Sequence, residues 1–230
     1  MKKLKQKLCA AALLLCMLFT LMPFGVSALP TPEVEYSLDG GTTWEDVDYL
    51  VNAVFKTYQQ KDAIIRLKRN ITLDSSWYGP ALAYENITLT LDGNGHTIYR
   101  TAEVNGPIFN VNVADSHTIL KNITVDGGAV WDDASNVAGR TNSGSVSTGN
   151  SYLFVVQDGA KLTLDTGAVL QNNHLSAGYN GAAVAVNSGG SFVMKNGSAI
   201  RNNTAAGTGG YGGGGGAVVR RTGRRGRTRR

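Results

Sequence analysis

Asp132-Asp133, directly after Trp131, is the only adjacent carboxylate pair outside the stretch that reads as helix. Two carboxylates suit Ca²⁺ binding or a general acid and base, and a tryptophan beside them suits stacking on a sugar ring. Adjacent side chains in extended backbone point to opposite sides, so the pair needs a bend before both face one ligand. The competing readings are a solvated loop for the aspartates and a hydrophobic plug for Trp131, whose indole N–H alone needs a partner. Trp131, Asp132 and Asp133 are therefore the candidate ligand-binding residues. No catalytic residue and no metal ligand set is assigned.

The other reactive types argue for structure. His96, His117 and His174 share no metal-ligand spacing and read as residues of external turns. Cys9 and Cys16 both lie near the N-terminus, which removes disulfides and thiol chemistry from the rest of the chain. The glycine run over 207–216 is followed by neither a Lys-Ser/Thr pair nor a helical pattern, so it reads as a turn rather than a phosphate cradle. No cofactor is expected. Asn172-Asn173 and Asn202-Asn203 stand thirty residues apart and are expected to stack, since asparagine tolerates left-handed backbone and its amide can bond along a stack.

Charge is concentrated at the two ends. The formal net charge is +5, yet residues 29–219 hold six Lys and five Arg against 17 Asp and Glu, a balance of −6. A basic face for nucleic acid is absent from this acidic body, and no nucleic-acid partner is expected. The last eleven residues hold seven of the twelve arginines: Arg220, Arg221, Arg224, Arg225, Arg227, Arg229 and Arg230. Two readings stand. A genuine polycation would bind an anionic polymer, whereas translation out of frame would yield Arg, Gly and Thr from codons rich in G and C.

The elements that must position these residues begin after a leader. Lys2, Lys3, Lys5 and Lys7, an apolar run from Leu8 to Phe24, and Val26-Ser27-Ala28 have the three parts of a secretory signal, so residues 1–28 are expected to be removed on export. Contact with a membrane is expected only during that export. Next, Val34 to Ser37 reads as a strand. Val47, Leu50, Val51, Val54, Phe55 and Tyr58 then form one apolar stripe at helical spacing, with Thr43 and Asp46 placed as a capping box. Residues 29–62 are read as an N-terminal cap.

From residue 63 onward the chain is read as short β-branched strands, and a repeat emerges. Leu153 to Val156, Leu162 to Leu164, Gly167, Val169-Leu170 and Asn172-Asn173 match Ala183 to Val186, Phe192 to Met194, Gly197, Ala199-Ile200 and Asn202-Asn203 without a gap. Each copy carries three short apolar runs, too little for a core of its own, so neighbouring copies must stack and share one. Residues 126–150 interrupt the repeat as an inserted loop, and Trp131 is its only large aromatic.

Around Leu91-Asp92-Gly93-Asn94-Gly95-His96-Thr97-Ile98 and Ile119-Leu120-Lys121-Asn122-Ile123-Thr124-Val125 the chain resembles the right-handed parallel β-helix, or pectate-lyase-like, family. Its later Gly/Asn copies resemble the repeats of adhesin-like bacterial surface proteins. The resemblance implies an all-β solenoid over 63–219, a single-stranded parallel β-helix behind a strand-helix cap. It also implies a bacterial protein that is secreted or held at the cell surface, non-catalytic, and in contact with polysaccharide or with a host or cell-wall surface. The alternative is a polysaccharide lyase or glycoside hydrolase, whole or as an inactive fragment, but the family's wall of acidic calcium ligands has no counterpart here. The repeat breaks off just after Gly216-Ala217-Val218-Val219 opens a third copy, so self-association through an uncapped end is expected.

Overall fold

The computed structural model describes residues 31–101, 104, 106–131, 140–142, 152–175, 183–205 and 218–220. The chain divides into Met1–Thr31 and a second unit, Pro32–Arg230, which holds every element named below.

Short strands stack in parallel into a β-solenoid with three main walls. The first wall is built of β3 (Ala63–Leu67), β5 (Thr88–Asp92), β8 (His117–Lys121), β13 (Lys161–Leu164) and β17 (Ser191–Met194). The second comprises β4 (Ile71–Leu73), β6 (Thr97–Arg100), β9 (Thr124–Asp126), β14 (Val169–Gln171) and β18 (Ala199–Arg201). The third comprises β7 (Phe109–Val111), β12 (Phe154–Val156), β16 (Val184–Val186) and β20 (Val218–Arg220). A short parallel pair, β15 (His174–Leu175) with β19 (Thr204–Ala205), extends the corner after the second wall.

The thirty-residue repeat is the strand register itself. Phe154 pairs with Val184, Leu162 with Phe192, Leu170 with Ile200 and His174 with Thr204. Period-2 alternation sends every second side chain inward, and those residues form vertical columns. Ile65, Leu91, Leu120 and Leu164 make one column, and Ile71, Ile98, Val125 and Leu170 another; all are buried. Phe109 and Phe154 stack at 5.4 Å, and Trp77 meets Phe109 edge-on while its indole N–H donates to the Ile108 carbonyl.

At the N-terminal end, β1 (Val34–Ser37) lies antiparallel to β3 and to β2 (Glu45–Val47), and α1 (Leu50–Thr57) buries Leu50, Ala53, Val54 and Thr57. The helix is shorter than its stripe predicts. Val47 is drawn into β2 opposite Val34, so the helix begins at Leu50 with Tyr49 as an N-cap that makes no side-chain bond. Thr43 and Asp46 form no capping box: Asp46 pairs with Lys68 at 2.5 Å, and the first helical N–H donates instead to Glu33 Oε2 at 3.2 Å. Ala53 and Thr57 complete the buried face, leaving Phe55 66% exposed.

The interrupting loop also differs from its reading. Within it β10 (Ala129–Trp131) pairs antiparallel with β11 (Arg140–Asn142), Trp131 opposite Arg140. A β-prone Ala-Val-Trp run leaving the solenoid needs a partner for its backbone, and the returning segment supplies one.

Candidate functional site

The residues singled out for chemistry do not converge on one described site. Trp131 ends β10, while Asp132 and Asp133 lie outside the described residues. Residues 1–28, 207–216 and the tail beyond Arg220 also lie outside them. Arg220 closes β20 at the register of Val186, Val156 and Val111, and those three valines are buried.

Of the histidines, His96 occupies a turn as expected, but His117 does not. It opens β8, is half-buried, and places Nε2 2.9 Å from Thr163 Oγ1. Burial pulls its pKa below the ordinary value, and Lys161 and Lys195 add to the effect. The period-2 register of the wall, rather than turn chemistry, decides its place. His174 lies in β15 opposite Thr204.

The outer face of the first wall carries an alternation that sequence reading missed. Glu35 pairs with Arg66, Arg66 with Asp92 and Asp92 with Lys121. Asp165 and Lys195 follow the paired residues Leu164 and Met194 in the next two rungs. The column therefore reads −, +, −, +, −, +. Its ends are closed ion pairs, Arg66 to Glu35 at 3.0 Å and Lys195 to Asp165 at 2.7 Å, and the Lys195 bond holds the Asp165 carboxyl below its usual range. Such a face is locally neutral and offers no run of one sign to a polyanion. The spacing that creates it, one charge per coil, is visible only once the register is known.

The corner after the second wall holds a buried polar cluster. Arg100 continues the inward face of β6 and is 6% exposed; its guanidinium donates to Asn173 Oδ1, two coils away. Burial pulls its pKa down to about 10, against the opposing pull of the Asp126 carboxylate. Asp126 accepts from Gln171 Nε2 at 2.9 Å, Asn172 Nδ2 at 2.8 Å and the Gly128 N–H at 2.8 Å. Gly127 and Gly128 let the backbones of neighbouring coils close in at this corner: a Cβ on Gly128 would stand 2.3 Å from the Arg100 carbonyl oxygen, and one on Gly127 would stand 2.6 Å from the Asn173 Cα.

The asparagine pairs stack as expected, with a division of labour. The first of each pair, Asn172 and Asn202, takes left-handed backbone with φ of 54° and 55°. The second makes the ladder: the Asn173 N–H donates to Asn203 Oδ1, and Asn203 Nδ2 donates to the Leu170 and Arg201 carbonyls.

The concavity best furnished for a ligand lies beside the cap, a cleft of about 330 Å³. Trp77, Glu33, Asp74, Ser76 and Thr72 line it, and Tyr49 stands at it 56% exposed. The short link between β2 and α1 places Tyr49 here because α1 starts only at Leu50. Glu33 accepts from Arg69 at 3.1 Å and from the Leu50 N–H, so its position is set from both sides. Asp74 accepts from the Ser76 hydroxyl at 2.6 Å and its N–H at 2.9 Å, and both bonds hold its carboxyl below the usual range. An acid so stabilised as the anion accepts hydrogen bonds from ligand hydroxyls and does not donate a proton at neutral pH. A second, smaller depression of about 240 Å³ on the third wall presents Asn110, Gln157 and Asn187 amides beside Tyr152. Among the described residues no group of three or more His, Cys, Asp or Glu side chains is gathered for a metal ion.

No protein-family model, curated protein or solved structure matches this chain.

Proposed function

We propose that this protein is an exported bacterial surface or extracellular module that binds carbohydrate without cleaving it, and that the cleft beside the cap is the binding site. The observation that carries the reading is the exposed ring of Tyr49 set by two carboxylates that are already engaged, Glu33 by Arg69 and Asp74 by Ser76. An aromatic face covers the apolar side of a sugar ring, while fixed acceptors take its hydroxyls. The carboxylates and the acidic body favour neutral or amino sugars over polyuronates. The lysine-rich head and apolar run of residues 2–24 support export, and a rigid solenoid suits a protein that must present a site away from its point of attachment.

The test is titration of the purified protein with neutral, amino and uronic oligosaccharides, followed by product analysis. Tyr49→Ala is expected to weaken binding by about fivefold or more, through loss of the aromatic contact. Tyr99→Ala removes another exposed tyrosine, on the second wall, and is expected to change nothing. Equal losses for both variants, or a preference for uronates, would overturn the site. Release of unsaturated or new reducing ends would favour the lyase or hydrolase instead.

A further inference from the structure

The turns between the first and second walls are clamped by the coil that follows. The Gly95 N–H donates to the Asn122 carbonyl at 2.8 Å, and the Gly167 N–H to the Gly197 carbonyl at 2.9 Å. Gly197 occupies the same place in the outermost described rung, and among the described residues its own N–H has no acceptor. The residue before it is Asn196, which is exposed, in a two-residue turn closed by the Ser198 N–H on the Lys195 carbonyl at 3.1 Å. Gly197 has φ of 81° and carries no side chain to shield its nitrogen.

We infer that Asn196-Gly197 is a self-modification site, at which the folded chain converts an asparagine to aspartate and isoaspartate. The Gly197 nitrogen attacks Asn196 Cγ and forms a C–N bond; the Cγ–Nδ2 bond breaks, and ammonia leaves with the proton that Gly197 gives up. Water then opens the succinimide ring at either carbonyl. No oxidant, metal or enzyme is required. Opening at one carbonyl leaves aspartate, and opening at the other routes the backbone through Cβ, adding a methylene to the turn. Either product puts a new carboxylate one residue from Lys195, which pairs with Asp165 at 2.7 Å. Among the described residues the strands that flank this turn, β17 and β18, are the last of their sheets, so the modification acts beside an edge where a further strand would add.

Asn94-Gly95 is an internal control with the same dipeptide. Its glycine nitrogen is tied to Asn122, and Asn94 itself is held at φ of 50° with its N–H on Asp92 Oδ1. The additional bond must break before attack, which slows the reaction by about tenfold. The full-length protein is incubated at mildly alkaline pH, natively and in denaturant, and amide-to-acid conversion at each asparagine is read by tandem mass spectrometry of tryptic peptides. In the native protein Asn196 is expected to convert about tenfold faster than Asn94, and in denaturant the two rates are expected to converge. A native ratio equal to the denatured one, or native conversion at Asn94 as fast as at Asn196, would overturn the inference. Asn196→Gln, whose longer side chain must close a six-membered ring, is expected to abolish conversion at that position; persistence of an acid product there would also overturn it.

Discussion

Asn203→Ala tests the asparagine ladder. The substitution removes the acceptor for the Asn173 N–H at 2.9 Å, a donor to the Leu170 carbonyl at 3.0 Å and a donor to the Arg201 carbonyl at 2.9 Å. The Arg201 carbonyl is on the exposed side and regains water at little cost. Asn173 is fully buried, so its orphaned N–H bears a desolvation penalty. Two part-buried bonds at about 1 kcal/mol each amount to about 2 kcal/mol, felt first at the outermost coils. A solenoid need not unfold in one step, so the assay is local: native-state hydrogen exchange at the Asn173 amide. A loss of about 2 kcal/mol lowers protection there by about 30-fold, and amides of the inner strands β3 and β5 change little. Asn202→Gly is the companion variant. Glycine adopts the left-handed φ of 55° at no steric cost, so protection at Asn173 is expected to stay within about threefold of the parent. Protection at Asn173 that survives Asn203→Ala, or that falls equally in Asn202→Gly, would refute the assignment of bonding to the second asparagine and conformation to the first.

Thr118 sits in an otherwise apolar column between Leu89 and Leu162, with a buried hydroxyl that has no partner among the described residues. Thr118→Val keeps the shape and is expected to raise stability by about 1 kcal/mol in urea unfolding; a fall would show that the hydroxyl is satisfied in solution. His117 has a lowered pKa in the fold, so below the unfolded value of 6.5 the unfolded chain takes up the proton first. Stability is therefore expected to fall as pH drops below 6.5 and to level once folded His117 also protonates, and His117→Gln should remove that step from a pH series of melts. Gly128→Ala, strained at φ of 76° and blocked by the Arg100 carbonyl at 2.3 Å, is expected to lower the melting temperature clearly, whereas Gly40→Ala meets no atom within 4 Å and suffers only the backbone cost of its φ of 71°. Phe192 and Ile200 are only partly covered and Met194 is 44% exposed at positions where Leu162, Leu170 and Leu164 are fully buried, so sedimentation is expected to show concentration-dependent association that Met194→Lys weakens; a monomer at every concentration would contradict this.

The cleft was not legible in the linear chain, because Glu33, Tyr49 and Asp74 come from three separate segments and none belongs to a motif. The charge column was hidden for a similar reason. Its members are spaced 26 to 44 residues apart, and only the strand register reveals that their signs alternate. Arg100 reads as an ordinary polar residue ending a β-prone run, and nothing local announces that its guanidinium meets Asn173 two coils away.

What the sequence by itself determined is the solenoid and its register. A gapless thirty-residue repeat of short apolar runs can bury its inward faces only by stacking, and a one-residue slip would turn every core side chain outward. The asparagine stack follows from the same repeat. Only the tertiary structure decided where α1 begins, since pairing Val47 with Val34 outcompetes a helical turn whose stripe was otherwise continuous. It also decided which polar groups meet, because contacts between coils depend on insertions and corner geometry that local periodicity does not encode.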